Sequence, residues 1–345
     1  MRSSTALTTA QPWRLPAATA ARLDTVMDRA VADLAGPLTP QLRRILGAGG
    51  QRLRPALTLA VSQLGRSSGP DAGALERAAA VELLHCATLV HDDLIDGADV
   101  RRGTPTVNAA EGLGAAVLSG DLLIAAAYLV AGRAGDGAGT VIARTLASLC
   151  RGEALEALGQ FDAAVGVPHC LEVIRLKTGS LLAAACLLGA QAADLDSAAT
   201  SALAKFGMHF GISLQLLDDV IDVVSTPLLA GKPVGVDFST GTVTVPAALA
   251  LTEFPELGSL LRPGLDDLSR RRALALLRTP SAVRSAVAMA AEHAEAAGSA
   301  LRRVDLGDPA LEELADWPVL FLQSQLRSKV DAGGHSALEL QNTKR

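Results

Sequence analysis

The sequence predicts an all-α protein, a single-domain bundle of helices, on three observations. Apolar residues make up 49% of the 345-residue chain but aromatics only 3%, so the core must be built from Ala, Leu and Val. Ala is the best helix former, and this mixture favours helices over a sheet sandwich. Prolines cluster up to Pro70 and from Pro227 onward, with only Pro105 and Pro168 between them, which leaves three long stretches free of helix breakers. Within those stretches apolar residues recur at helical spacing, and strand-like alternation is almost absent.

Taken in chain order, residues 1–20 carry no acidic group, no amphipathic repeat and no cleavage pattern, so they read as a disordered tail rather than a transit peptide. Gly49-Gly50-Gln51-Arg52-Leu53-Arg54-Pro55 is a glycine-led basic turn before a helix. In the first breaker-free stretch Leu83, Leu84, Ala87 and Thr88 lead into Val90, Leu94 and Ile95 with helical spacing. The most apolar window, Leu113 to Ala131, is interrupted by Ser119, Gly120 and Asp121, which predicts a buried core helix and no transmembrane segment. Gly132–Gly139 and Gly231–Gly241 read as loops, with helical runs at Leu171–Ala190 and Ala198–Val224. The sole strand candidate is Thr242-Val243-Thr244-Val245, too short to carry a sheet. No repeat or central linker divides the chain, so one helical domain is expected over residues 21–330, followed by a mobile polar tail at 331–345.

A net charge of −5 gives no general pull towards nucleic acid and suits anionic membranes poorly. An anionic substrate must then be held by local cations or by bound metal. The four cysteines, Cys86, Cys150, Cys170 and Cys186, lack any CxxC spacing and read as reduced thiols of a cytoplasmic protein.

Two acidic clusters interrupt apolar helices: His91-Asp92-Asp93-Leu94-Ile95-Asp96 and Leu217-Asp218-Asp219-Val220-Ile221-Asp222. In each, the first and last Asp lie four residues apart and share one helix face, where like charges repel unless a cation sits between them. Oxygen-only ligands of this kind suit Mg2+, which commonly combines one or two carboxylates with phosphate oxygens. One such cluster could be a solvated acidic face; two of identical spacing in apolar surroundings point to a metal.

Three basic features accompany them. Arg101-Arg102-Gly103-Thr104-Pro105 places guanidinium forks, which match phosphate oxygens, just beyond the first cluster, although capping of a helix C-terminus would use the same charges. Lys177-Thr178-Gly179 lies inside a helical run, where a lysine otherwise snorkels to the surface. His85 precedes Asp92 by seven residues and so lies on nearly the same face, though a lone His there is commonly a satisfied core residue.

Together these residues resemble the trans-isoprenyl diphosphate synthases, or polyprenyl synthetases, in order and spacing over roughly residues 45 to 250. The match runs through the basic Gly-Gly turn, Glu82-Leu83-Leu84-His85, the first Asp-rich motif and Arg101-Arg102-Gly103-Thr104-Pro105-Thr106. It continues through Gly120-Asp121, Lys177-Thr178-Gly179, Gln215 with the second Asp-rich motif, Gly231-Lys232-Pro233 and Gly235 with Asp237.

The resemblance implies an isoprenoid-synthase helical bundle around a central apolar cavity, working as a homodimer with three Mg2+ ions per active site. Asp92, Asp96, Asp218 and Asp222 would hold the metal, and Arg101, Lys177 and Lys232 would surround an allylic diphosphate. The Thr178 carbonyl and the Gln215 side chain would line the carbocation left by ionisation. Isopentenyl diphosphate would bind Arg54, His85 and Arg102, with the Gln51 position alongside. Ala87 and Thr88, small residues before the first motif, imply a product of C20 or longer, and Tyr128 could close the tunnel lower down.

The pattern departs at two positions where the family usually has lysine: Gln51 in the basic turn and Thr242 in the later loop. Each loses a charge-assisted hydrogen bond, a loss of roughly tenfold in affinity per site. These departures leave two other readings open, a class I terpene cyclase of the same fold and a non-catalytic modulating subunit. Retained Arg54, His85 and Arg102 argue against the first, and two intact carboxylate motifs against the second.

Overall fold

In the computed structural model, residues 13–64, 69–101, 103–135, 137–224, 236–303, 313, 316–321 and 323–324 are described. They are helical almost throughout, as the composition and proline spacing require. The chain divides into two compact units, one of residues 1–143, 184–200 and 306–308, the other of 144–183, 201–305 and 309–345.

The first unit is built on α1 (Ala17–Leu34), α2 (Thr39–Gly47), α3 (Leu53–Ser62), α4 (Ala72–Ile95), α5 (Val107–Glu111) and α6 (Leu113–Arg133). Helix α4 starts where Asp71, at its N-cap, accepts a 2.8 Å hydrogen bond from the Ala74 amide, a cap that contributes about 1 kcal/mol. Its length buries Ala78, Ala79, Val81, Leu83, Leu84 and Ala87, and α6 packs along it. The two come very close at Gly120, where an added Cβ would stand 2.0 Å from His91 Nε2. Deeper in the unit, Gln41 Nε2 donates to the buried Ser119 Oγ at 2.7 Å. That bond satisfies one of the polar interruptions read from the sequence.

The second unit takes up α7 (Ala138–Leu158) from residue 144, then α8 (Val167–Ile174), a five-residue π-turn (Arg175–Gly179) and the start of α9 (Ser180–Ala192). From residue 201 it contains α10 (Ser197–Val224), α11 (Val236–Thr240), α12 (Val245–Glu253), α13 (Asp267–Leu277) and α14 (Pro280–Leu301). Phe206 and Phe210 on α10 are fully buried, and Phe321 packs edge-on to Phe210 at 6.0 Å between ring centroids. Ser213 on α10 donates to the Ala290 carbonyl of α14 at 2.8 Å.

Four expectations need correction, the first being the Gly231–Gly241 loop, in which Val236–Thr240 forms α11. Helix α1 begins at Ala17 and Trp13 is buried, so the tail read over residues 1–20 is too long; residues 1–12 and 331–345 lie outside the described residues. The alternating Thr242–Val245 segment is no strand. Thr244 is the extended N-cap residue of α12, and Pro246 occupies that helix's first turn, where its missing N–H costs nothing. The strands that do form are a two-residue pair, Val100–Arg101 (β1) against Thr104–Pro105 (β2), turned by Gly103 at φ +76°. Lastly, α6 is not wholly core: only 39% of its apolar window is buried, and Leu113, Val117, Leu118 and Tyr128 are exposed on one face. Two segments, Leu113–Arg133 and Val167–Ala192, are long and apolar enough to cross a membrane by length and composition, the second with 78% of its window buried.

Candidate active site

In the first unit the C-terminal end of α4 carries the first Asp-rich motif. The Asp96 amide donates to the Asp92 carbonyl at 2.8 Å, closing the last helical turn and stacking the two side chains on one face. Asp92 is half-buried and Asp96, at the C-cap, is exposed. Asp93 between them is 6% exposed and receives a 2.7 Å bond from Arg101 Nε. Burial raises the Asp93 carboxyl above the usual range, and Arg101 opposes that rise. The β1–β2 turn thus folds Arg101 back onto the motif's middle carboxylate, with guanidinium donors to spare.

The basic turn is fixed by a residue that the sequence reading passed over. Arg52, the N-cap of α3, adopts the left-handed conformation at φ +50°, which residues other than Gly, Asn and Asp rarely take. Its guanidinium donates to Glu82 Oε1 at 3.0 Å and to the Leu46 carbonyl at 2.8 Å. Glu82 is buried in α4, so the pair fastens the turn to the helix that bears the motif. Arg54 follows in the first turn of α3, half-buried, while Gln51 is exposed in the turn itself. His85 is half-buried on α4, and its carbonyl accepts from Thr88 Oγ1 at 2.8 Å. Ala87 is fully buried, Thr88 half-buried, and Tyr128 lies on the exposed face of α6. Arg102 and Lys232 lie outside the described residues.

In the second unit the π-turn displaces Lys177 and Thr178 from plain α-helical register, and such turns cluster at functional sites. Lys177 Nζ meets Glu153 at 2.5 Å and Glu156 at 3.0 Å, both on α7. Its stem crosses α7 at Gly152, where a Cβ would stand 2.7 Å from Lys177 Cγ. Thr178 Oγ1 donates to Gln215 Oε1 at 2.8 Å, and Gln215 Nε2 donates to Asp219 Oδ1 at 2.9 Å. The π-turn and α10 touch backbone to backbone here: a Cβ on Gly211 would be 2.7 Å from Gly179 Cα.

The second motif sits in denser negative charge than the first. Asp218 is exposed, Asp222 is buried and Asp219 is 5% exposed. Burial drives the Asp219 carboxyl well above the ordinary range; the Gln215 bond opposes this, while Asp237, Asp218 and Glu156 reinforce it. Nearby, Cys170 donates to the Val243 carbonyl at 3.1 Å, and its thiol is pushed up to about 12, first by burial and then by Asp219. It is therefore no thiolate nucleophile at neutral pH.

The donor set fits a hard divalent cation. It is all oxygen, and at Asp219 burial first, then the neighbouring Asp237, Asp218 and Glu156, raise the proton affinity of the carboxyl, a cost that a cation bound nearby would offset. Among the described residues no three His, Cys, Asp or Glu side chains form a closed cage by themselves. A magnesium site completed by phosphate oxygens and water has no need of one.

Glu153, Glu156, Arg52 and the π-turn escaped the sequence reading. The glutamates sit on α7 at i and i+3, ordinary for an exposed helix face. Their one distinguishing signal is Gly152, which clears space beside them.

The polyprenyl synthetase family profile matches residues 37–272 of this chain. A nonaprenyl diphosphate synthase of Mycobacterium tuberculosis is 36% identical over 307 residues, covering 87% of this chain and 91% of that protein. Component 2 of a heptaprenyl diphosphate synthase from Geobacillus stearothermophilus is 37% identical over 238 residues, 68% of this chain and 72% of that one. Among solved structures, a polyprenyl synthase of Caulobacter crescentus, complexed with calcium and isoprenyl diphosphate, superposes with a TM-score of 0.78. It is 33% identical, with 88% of this chain and 94% of that chain covered.

Proposed function

The chain belongs to the polyprenyl synthetase family, and from that premise we propose that it is a Mg2+-dependent trans-prenyltransferase making a polyprenyl diphosphate of C20 or longer. It condenses an allylic diphosphate with isopentenyl diphosphate, head to tail, and releases diphosphate. The observation that carries this reading is the crowded carboxylate cluster at the second motif, whose like charges call for cations.

Asp92, Asp96, Asp218 and Asp222 are the residues that would hold Mg2+, three ions per site. Bound there, the metal supplies Lewis-acid stabilisation of the negative charge that develops on the departing diphosphate. Arg101, Lys177 and Lys232 add fixed cations around the same leaving group. Arg101 contributes the donors left over from Asp93, and Lys177 a charge now shared between two glutamates. The Thr178 carbonyl and the Gln215 side chain face the carbocation with partial negative charge. Arg54, His85 and Arg102 bind isopentenyl diphosphate, with Gln51 as a neutral donor, and the released diphosphate takes the proton that leaves after condensation.

Ala87 and Thr88 leave room beneath the first motif for a growing chain; Tyr128, exposed on α6, is not part of that lining. Residues 21–330 serve as one catalytic domain, in keeping with a profile match that runs through both units. The exposed apolar face of α6, with Leu113, Val117, Leu118 and Tyr128, fits a second copy of the chain in a homodimer. All four cysteines are free thiols, which suits the reducing cytoplasm.

The test is product analysis of the pure protein with Mg2+ and allylic diphosphates, with and without isopentenyl diphosphate. Longer diphosphates formed only when both substrates are present support coupling. Hydrocarbon from the allylic substrate alone would show a cyclase, and no turnover in any mixture would show a modulating subunit.

A further inference from the structure

Three polar side chains in the second unit are joined in series: Thr178 to Gln215 at 2.8 Å, and Gln215 to Asp219 at 2.9 Å. Gln215 and Asp219 lie four residues apart, on one stripe of α10. Asp218 and Asp222 share a different stripe, rotated by one residue, so Asp219 is turned away from the pair assigned to metal.

The orientation of a glutamine amide is open unless its partners choose it, because the oxygen accepts and the nitrogen donates on nearly identical frames. Thr178 cannot choose, since a hydroxyl can donate or accept. Asp219 can: its Oδ1 accepts from Nε2, both as the carboxylate and as the acid protonated on Oδ2, which turns Oε1 towards Thr178 and obliges the Thr178 hydroxyl to donate. The hydroxyl proton is thereby committed to Gln215, and Thr178 Oγ1 is left with only lone pairs for whatever lies against it. Asp219 is 5% exposed, so water is a poor competitor for this role.

We infer that Asp219 is a positioning residue: its acceptor oxygen fixes the Gln215 amide, and through it the Thr178 hydroxyl, so that both present partial negative charge to a carbocation. This rests on the proposed reaction, because it is the carbocation that makes the direction of these dipoles matter. The required feature is an acceptor at this position; an amide there offers one oxygen but also a donor, so it holds the Gln215 orientation less firmly than a carboxylate.

Asp219→Asn keeps an acceptor oxygen on the same frame, whereas Asp219→Ala and the bulkier but likewise branched Asp219→Leu remove it. The two acceptor-free variants should lose roughly a hundredfold in kcat, with KM for both diphosphates and the Mg2+ half-saturation unchanged. Asp219→Asn should lose less than either, roughly tenfold, since its amide can meet Gln215 with its oxygen or with its nitrogen. A raised Mg2+ half-saturation would overturn the inference by making Asp219 a metal ligand. Equal losses in Asn and Leu variants would overturn it by making the charge essential, and wild-type kcat in the Leu variant would leave Asp219 no role.

A readout independent of turnover separates this from failure of the proposed reaction. The Gln215 side-chain amide resonances, assigned by their loss in Gln215→Leu, should be shifted and exchange-protected in the wild type and Asp219→Asn. In Asp219→Leu they should fall to solvent-like values. If all three proteins give the same resonances, the inference fails, even where the protein proves an active prenyltransferase.

Discussion

The two Asp-rich motifs share a spacing but not an electrostatic setting. In the first, the middle carboxylate, Asp93, is buried against a guanidinium from the β1–β2 turn eight residues on, so the motif brings its own counter-charge. In the second, the middle carboxylate, Asp219, is buried against the neutral Gln215, and Asp218, Asp237 and Glu156 raise its proton affinity further. Lys177, a cation of the same unit, is held by Glu153 and Glu156. Equal spacing therefore comes with unequal surroundings: the first motif's buried carboxylate has a guanidinium partner, the second's has a neutral amide and further carboxylates around it.

The largest effect that would test this contrast is on turnover. Asp92→Ala and Asp218→Ala should each cut activity by at least about a thousandfold while helical circular dichroism stays intact. Unchanged turnover in either variant would remove its motif from the reaction. Next comes metal binding without substrate. Mg2+ alone should raise the Tm of the wild type and of Asp92→Asn, and most of that rise should vanish in Asp218→Asn. The reverse pattern would break the contrast.

A smaller change is expected at the Gln51 position. Gln51→Lys should lower the KM for isopentenyl diphosphate by up to about tenfold, as a neutral donor becomes charged. An unchanged or higher KM would show that this exposed residue does not meet that substrate. At the first motif, Arg101→Ala strands a buried carboxylate and should cost about 1–2 kcal/mol, a figure kept low because Arg101 is half-exposed. Adding Asp93→Asn should recover part of that loss in denaturant melts, and no recovery would mean that Arg101 acts elsewhere.

The smallest effect lies away from both motifs, where His209 on α10 and His293 on α14 share one hydrogen bond, Nδ1 to Nδ1, at 2.9 Å. Burial lowers both from the ordinary 6.5, and for His293 the facing His209 adds to this while Glu292 opposes it. Between that lowered value and 6.5 the unfolded chain binds more protons than the folded one, so stability falls as pH drops below 6.5. The Tm of the wild type should decline more steeply from pH 7 to 5.5 than that of His293→Gln, and parallel slopes would contradict the pairing.

Much of the fold was legible because helix formation here is a local matter. Proline positions delimit the helices, and an Ala- and Leu-rich stretch has little else to become. The motifs were legible because four-residue spacing on a helix is geometry that a sequence carries openly. What lay hidden depends on tertiary packing or on one-residue irregularities. The π-turn inserts its extra residue without disturbing the apolar pattern around Lys177. Glu153 and Glu156 become its partners only when α7 crosses at Gly152. Arg52 takes a left-handed conformation that its side-chain type argues against, and its guanidinium is held there by Glu82, the Leu46 carbonyl and, at longer range, Asp24. The alternation at Thr242–Val245, discounted as too short for a sheet, comes from an extended N-cap followed by proline, which mimics the start of a strand. Helix α6 misled for another reason: apolar composition alone cannot say whether a face is buried in its own chain or exposed.

The claim on which the rest depends is that Asp92 and Asp218 hold one diphosphate through Mg2+. Calorimetric titration with a non-ionisable thio analogue of an allylic diphosphate tests it directly. The wild type should bind the analogue only when Mg2+ is present, and Asp92→Ala and Asp218→Ala should each lose that binding. If either variant keeps wild-type, Mg2+-dependent affinity, the two motifs do not share a ligand and the account is wrong.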